Sequence, residues 1–220
     1  MRGLAVLAVL AVVGLTACTG GTDDDGRPAV PSPVPTEKAC EDGTYTWSGI
    51  QRTNRLTGVS RTHQVIGELS GNEQAVEMPL QRVFAPQVSV TAQGPALPSA
   101  EILFSLGKKT GEIDSTARTL AEDDTEYAFT EAGSRPPALE PHSFVPSTLG
   151  TFVGYEGVVE VRGDFRYTCA DGSVVQGRAQ SWTDPTGGDL NCEKPLGGNA
   201  FALLAARRSC EPNAVALRPS

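Results

Sequence analysis

The stretch VVEVRGDFRYTC, residues 158–169, alternates apolar and polar side chains along most of its length. This period of two predicts a long β-strand with one buried face. The next run, VVQGRAQSW at 174–182, alternates in the same way and predicts a second strand joined to the first by a tight turn. The apolar side of the first strand consists of Val159, Val161, Gly163, Phe165, Tyr167 and Cys169.

The turn between these two runs sets their register. A two-residue loop of Asp171 and Gly172 would bring polar residues opposite apolar ones. A three-residue loop over 170–172, with Gly172 in the left-handed conformation, keeps the two apolar faces together. The predicted pairs are Tyr167 with Val175, Phe165 with Gly177, Gly163 with Ala179, Arg166 with Gln176 and Asp164 with Arg178.

Other short runs rich in Thr, Val, Tyr and Phe are separated by Gly, Pro and Asn, which is typical of β-strands and turns. The chain is therefore predicted to be mainly β, as an antiparallel sandwich or open barrel. The predicted strands are Thr44–Ile50, Val59–Leu69, Arg82–Ala92, Glu101–Leu106, Glu126–Thr130, Phe152–Cys169 and Val174–Trp182.

One helix is predicted, at the C-terminal end of the domain. Asn199 is a good N-cap residue for AFALLAARR at 200–208, which is rich in Ala and Leu and ends in two arginines. Pro212 prevents further extension. We expect a stripe of this helix to pack against the sheet, formed by Phe201, Leu204 and Ala205.

Residues 1–17 have the layout of a bacterial signal peptide. Arg2 precedes an apolar run from Leu4 to Gly14, which is shorter than the ~20 residues that a membrane span needs. The following Leu15-Thr16-Ala17-Cys18 resembles the lipobox of bacterial lipoproteins. That resemblance implies cleavage before Cys18, attachment of a diacylglyceryl group to its thiol as a thioether, with acyl chains such as palmitate, and anchoring at the outer face of the cytoplasmic membrane. The alternative is an ordinary secretory signal with a chance cysteine.

The domain organisation follows from composition. Residues 18–39 are predicted to be a disordered linker that begins with the lipidated cysteine, because residues 19–37 are rich in Gly, Asp and Pro. Residues 19–37 alone would reach roughly 60 Å at ~3.3 Å per residue. We expect one β-rich domain over residues 40–212 and a flexible tail over 213–220.

The charge of the chain excludes one class of partner. Cleavage removes Arg2 and no acidic residue, which leaves 17 basic and 26 acidic side chains and a net charge of −9. Nucleic-acid binding requires clusters of Lys and Arg, so we expect no nucleic acid. Such acidity also disfavours electrostatic adhesion to anionic lipid, so membrane contact is expected through the N-terminal lipid.

Four cysteines follow Cys18, and an even number in an exported protein predicts two disulfides. If the chain turned back after Trp182, Cys192 would return to the end of the hairpin where Cys169 lies. This geometry predicts the bridges Cys169–Cys192 and Cys40–Cys210. The rival pairing is Cys40–Cys169 with Cys192–Cys210.

Candidate metal and catalytic residues are few. His63 and His142 are the two histidines, and a His/Cys zinc site needs four ligands, so no metal or cofactor is predicted. An acidic run predicts a solvated loop, with a cation site or paired carboxylates as the alternative. That run contains Glu122, Asp123, Asp124 and Glu126.

Two further features have structural explanations. Tyr45 and Trp47 share one face of a predicted strand, which we interpret as a core face rather than a carbohydrate-stacking platform. The tripeptide Arg162-Gly163-Asp164 matches an adhesion signal but falls in mid-strand, where it would not be displayed on a loop.

The lipobox, the linker, C-x-D-G-x-Y-x-W at 40–47 and T-C-x-D-G-(x)4-G-(x)4-W at 168–182 together resemble uncharacterised secreted lipoproteins of Streptomyces and related actinobacteria. The resemblance implies no activity, ligand or catalytic residue. The sequence favours a tethered binding or interaction module over an enzyme, with an unknown protein or small molecule as ligand. The alternatives are an envelope hydrolase that uses carboxylates such as Asp123 and Asp124, and a structural accessory lipoprotein.

Overall fold

A strand of 19 residues, β7 (Gly150–Thr168), forms the centre of the fold and pairs with neighbours along both edges. The computed structural model describes residues 37–69, 74–113, 129, 136, 138–183 and 186–218. Before β7 lie β1 (Thr44–Val59), β2 (His63–Val65), β3 (Val76–Met78), β4 (Gln81–Arg82), β5 (Ser89–Gln93), the helix α1 (Ser99–Thr110) and β6 (His142–Phe144). After β7 lie β8 (Val174–Trp182), β9 (Thr186–Asn191), the helix α2 (Ala200–Ser209) and a 3-10 helix (Val215–Leu217).

The main sheet has the order β4-β1-β7-β8-β5, and β2 and β9 also pair with β7. Every pair of these strands is antiparallel, and β3 and β6 form a separate antiparallel pair. The sheet does not close into a barrel. The prediction of a mainly β, antiparallel fold with a C-terminal helix is therefore confirmed, and a second helix, α1, is also present.

The register of the β7–β8 hairpin is also confirmed. Tyr167 lies opposite Val175 and Asp164 opposite Arg178, as expected from the two apolar faces. Gly172 has φ 85°, and its N–H donates to the Cys169 carbonyl. The Cys169 N–H in turn donates to the carbonyl of Ser173 at 3.0 Å, which closes the bulged turn.

Two hydrophobic clusters lie along the sheet, and each is covered by one helix. Helix α1 contacts β8, β1 and β5 and shares a cluster with Phe165 and Tyr167, which are buried in the C-terminal half of β7. Helix α2 packs on the N-terminal half, where Val153 and Tyr155 are buried. The long central strand thus joins two cores that are built by different parts of the chain.

Helix α1 corrects the prediction of a strand over Glu101–Leu106. The burial of Ile102, Leu103 and Leu106 follows helical spacing. Pro98 precedes the first turn, and Gly111 ends the helix in the left-handed conformation with its N–H on the carbonyls of residues 107 and 108. A run of six residues with four apolar side chains is compatible with either a strand or a helix. Pro98 before the run and Gly111 after it are the signals that favour a helix.

Helix α2 confirms the predicted C-terminal helix and its N-cap. The Asn199 side chain accepts hydrogen bonds from the N–H groups of residues 201 and 202 at 3.0 Å each. Beyond it, the expected flexible tail is wrong for residues 213–218. Ala216 is buried and its N–H donates to the Cys192 carbonyl at 3.1 Å, which ties the 3-10 helix to the end of β9.

The predicted disulfide pairing is wrong, and the rival pairing is present: Cys40–Cys169 and Cys192–Cys210. The chain does not turn back after Trp182. The Thr183 N–H donates to the Val159 carbonyl, and β9 then continues along residues 152–157 of β7 in the direction of β8. Cys192 is therefore carried to the end of β7 opposite to the hairpin turn. Cys40 reaches the turn because β1 pairs with β7 from Thr44 opposite Thr168 onward.

The two C-x-D-G segments need their glycines for different reasons. Gly172 supplies the left-handed turn residue. Gly43 instead lies against the ring of Tyr167, and a Cβ at this position would lie 2.4 Å from ring carbons. The likeness of the two segments thus reflects two cysteines that are bonded to each other and two glycines with separate functions.

Candidate functional site

The aromatic pair considered as a carbohydrate platform belongs to the core. Tyr45 and Trp47 pack against the cluster under α1, with the ring centroids of Tyr45 and Tyr167 4.7 Å apart. The Trp47 indole N–H donates to the Ser105 hydroxyl of α1 at 3.0 Å. Burial raises the pKa of the Tyr45 phenol. The interpretation as a core face is correct.

The other candidates from the sequence do not come together as a site. His63 is exposed on β2, whereas the His142 ring lies 3.2 Å from an Asp189 carboxylate oxygen. Gly163 is buried in mid-strand, so the Arg-Gly-Asp tripeptide is not displayed on a loop. The acidic run and the predicted strand Glu126–Thr130 lie outside the described residues, apart from Phe129, as does Cys18.

The two glutamates of the central strand, Glu156 and Glu160, do not form a catalytic pair. Glu156 and Glu160 stand four residues apart on β7, so their Cα atoms are about 13 Å apart at ~3.3 Å per residue. Glu160 is 6% exposed and is bound by Arg55 and Gln180, each at 3.3 Å. These partners give Glu160 a structural role. The described residues also contain no cluster of three His, Cys, Asp or Glu side chains that would hold a metal ion.

The candidate site lies on the face of the sheet that points away from α1, where polar side chains of the described strands are exposed. We call it the open face. Cross-strand partners in an antiparallel sheet share a face, so the register groups polar residues of four strands on it. Its members are Thr46, Ser48 and Gln51 of β1, Arg162, Asp164 and Arg166 of β7, Gln176 and Arg178 of β8, and Thr91 and Gln93 of β5.

All of these side chains are exposed except Asp164, which is half-buried. The surface forms a shallow depression of about 600 Å³ between β1 and β5. Every side chain in the group donates or accepts hydrogen bonds, and none is aromatic. The open face is therefore suited to a polar ligand that lies across several strands.

Three arginines give the open face an excess of positive charge. The Arg178 Nε donates to the Asp164 carboxylate at 2.8 Å, and this hydrogen bond raises the pKa of the Arg178 guanidinium. Arg162 donates to the neutral Gln51 amide oxygen at 2.9 Å. Arg166 has no hydrogen-bond or ion-pair partner among the described residues. Two guanidinium charges on this surface are therefore not neutralised by a carboxylate.

At the edge of the open face, the close approach of β5 to β8 requires a glycine at residue 177. At Gly177, a Cβ would lie 1.9 Å from the Thr91 carbonyl oxygen and 2.9 Å from the Ala92 Cα. Strand β5 can therefore approach β8 this closely only because residue 177 has no side chain. The period-two pattern of the sequence predicts that the polar residues of β7 and β8 share one face. It does not predict that β5 pairs with β8.

Comparisons with protein-family models, curated proteins and solved structures found no match. Neither helix in the described part of the chain has the length and hydrophobicity that a membrane span requires. The two disulfides indicate a protein of an oxidising, extracytoplasmic compartment.

Proposed function

We propose that this protein is a lipid-anchored binding module on the outer face of the cytoplasmic membrane, and that its open face binds an anionic polymer of the cell envelope. The observation that carries the proposal is the open face itself, a four-stranded surface of hydrogen-bonding side chains with two uncompensated arginines. The lipid anchor rests on the lipobox-like Leu15-Thr16-Ala17-Cys18.

The choice of an anionic ligand follows from the guanidinium groups. Arginine binds carboxylate and phosphate groups through paired, charge-assisted hydrogen bonds. Arg162 and Arg166 stand four residues apart on one strand, about 13 Å between Cα atoms at ~3.3 Å per residue. A ligand with charges repeated along a chain can contact both, whereas a single small anion can contact one.

An anionic polymer is favoured over a neutral glycan because none of the open-face side chains is aromatic. Neutral sugars are commonly held by stacking on aromatic rings as well as by hydrogen bonds, and the aromatic residues of β1 lie on the opposite, core side. The described residues carry 15 acidic and 14 basic side chains, so most of the chain's net negative charge lies outside them. The described surface therefore does not repel an anionic ligand as strongly as the total charge suggests.

Anchoring is tested in an actinobacterial host that exports the full chain. We expect the wild-type protein in the membrane fraction, with an acyl-bearing N-terminal peptide by mass spectrometry. A Cys18→Ala variant should lose the acyl group and the membrane association. An unmodified N-terminus in the wild-type chain would reject the anchor and leave the binding proposal to be judged separately.

Binding is tested by co-sedimentation with isolated actinobacterial cell walls. The probe protein is residues 18–220 with Cys18→Ser, exported behind a cleavable secretory leader so that both disulfides form. We expect binding to intact walls and loss of binding to walls stripped of their anionic polymers. Equal binding to both preparations would contradict the anionic-polymer proposal.

A further inference from the structure

The outer side of α2 carries arginines that have no acidic partner in the described structure. Arg207 and Arg208 lie exposed in the last turn of the helix, and Arg218 follows the 3-10 helix. None of the three takes part in an ion pair among the described residues. The negative end of the helix dipole favours cations at 207 and 208, but it does not account for Arg218.

These arginines border two adjoining hollows that share Arg207. One hollow, of about 420 Å³, lies between α2 and β1 and also contains Arg208 and the apolar Leu56 and Leu204. The other, of about 260 Å³, lies between α2 and the 3-10 helix and contains Arg218 and Leu217. Positive charge and partly exposed leucines therefore alternate across this side of the domain.

Among the described residues, no acidic side chain lines either hollow. Arg55 also borders the larger one, and its charge is compensated by the buried Glu160 at 3.3 Å. The three remaining guanidinium groups are available to a ligand. Guanidinium binds phosphate through two parallel hydrogen bonds, and leucine side chains favour the apolar part of the same molecule.

We propose that this side of α2, with Arg207, Arg208 and Arg218, docks onto anionic phospholipid headgroups at the membrane surface. Phosphate beside an apolar chain is the arrangement that an anionic bilayer presents, and surface arginines are attracted to it electrostatically. This site is separate from the open face, which lies on the C-terminal half of β7. It revises the expectation from total charge that the protein does not adhere to anionic lipid, because the local charge of this side is positive.

Docking through α2 would orient the domain relative to the membrane. The predicted linker would hold the domain near the membrane without fixing which side faces it. Its predicted end at residue 39 is wrong, because Ala39 is buried and its N–H donates to the Ala96 carbonyl at 2.9 Å. Contact through α2 would turn one end of the sheet to the bilayer. The open face on the other half of β7 would then remain available to a wall polymer.

The test uses residues 18–220 with Cys18→Ser, so that binding does not depend on the lipid anchor. Sedimentation is measured with vesicles of phosphatidylcholine alone and with vesicles containing about a third phosphatidylglycerol. We expect binding only to the anionic vesicles, with a loss at about 0.5 M salt because surface charges are then screened. The double variant Arg207→Gln/Arg208→Gln should partition about 30-fold more weakly.

The matched control is Arg61→Gln/Lys109→Gln, which removes the same charge from two exposed positions outside both proposed sites and should bind anionic vesicles like the unsubstituted chain. Arg218→Gln, outside the helix, should weaken binding about fivefold and serves if the helix variant fails to fold. Three outcomes would overturn the inference: equal binding to neutral vesicles, equal loss in the control, or full competition by soluble glycerol phosphate at concentrations near that of the protein. The test does not involve the arginines of the open face, so failure here leaves the polymer proposal unaffected.

Discussion

The hydroxyl of Tyr167 accepts a hydrogen bond from the Gly43 N–H at 2.8 Å and donates one to the Cys40 carbonyl at 3.0 Å. One side chain of β7 thereby fixes the segment that leads into β1. Tyr167→Phe would keep the ring and leave two polar backbone groups without this partner. We expect the free energy of unfolding to fall by about 1–3 kcal/mol in urea denaturation. Thr168→Ala, on the exposed side of the same strand, should change it by less than about 0.5 kcal/mol. An unchanged stability in Tyr167→Phe would contradict this role.

The two disulfides should differ in their contribution to stability. Cys40–Cys169 spans 129 residues, whereas Cys192–Cys210 spans 18. The chain-entropy model gives about 5 kcal/mol for a loop of the first length and about 3 kcal/mol for the second. Paired Cys→Ala variants, compared by denaturant unfolding, should show the larger loss for Cys40 and Cys169. The reverse order, or non-reducing peptide maps that link Cys169 to Cys192, would contradict the account.

Strand β5 should not tolerate a side chain at residue 177. A Cβ there meets backbone atoms of Thr91 and Ala92, which cannot move without separating β5 from β8. We expect Gly177→Ala to destabilise the domain by about 1–3 kcal/mol and to speed amide exchange in β5. Ser89→Ala, exposed on the same strand, is the control and should have little effect. Normal protection of β5 in Gly177→Ala would show that the close approach is not required.

Stability should depend on the ionisation of Glu156. Burial raises the pKa of its carboxyl, and a hydrogen bond from the buried Thr57 hydroxyl offsets part of the rise. A raised pKa means that the folded state holds the proton more tightly than the unfolded state, whose carboxyl titrates at about 4.3. The resulting stabilisation is fully present below that pH and is lost as the pH rises through the folded-state pKa.

Glu156→Gln removes this dependence because its side chain stays neutral. At pH 7 the variant should be more stable than the wild type by a few tenths to about 1 kcal/mol, since the group is half-exposed. At about pH 4 the advantage should vanish. Thermal unfolding at a series of pH values measures the difference, and a gain that does not change with pH would contradict the assigned cause.

Local patterns predicted the parts of this fold that depend on neighbouring residues. The alternation of β7 and β8 and the left-handed Gly172 were enough for their register, because a one-residue slip would expose the apolar side. The N-cap at Asn199 was equally local. The polar positions of the same period-two pattern predicted which residues of β7 and β8 face solvent. These residues form the centre of the candidate site.

The pairing of strands that are distant in the sequence could not be predicted from such local patterns. Strand β9 pairs with residues 152–157 of β7, and this pairing places Cys192 far from Cys169. It depends on which edge of β7 near Val159 is available for pairing, and local sequence does not determine this. That Arg166 has no partner among the residues the structure describes is likewise a property of the assembled sheet. Helix α1 is different, because Pro98 and Gly111 marked its ends in the sequence and the short apolar run between them was misread as a strand.

The central claim is that the open face binds an anionic envelope polymer through Arg162 and Arg166. The most direct measurement is calorimetric titration of purified anionic wall polymer into residues 18–220 carrying Cys18→Ser. The account predicts at least about tenfold weaker binding for Arg162→Gln/Arg166→Gln, because charge-assisted hydrogen bonds to the polymer are lost. Arg207→Gln/Arg208→Gln, with the same change in charge on α2, should bind like the unsubstituted chain. Equal affinity in all three proteins, or an equal loss in both double variants, would contradict it.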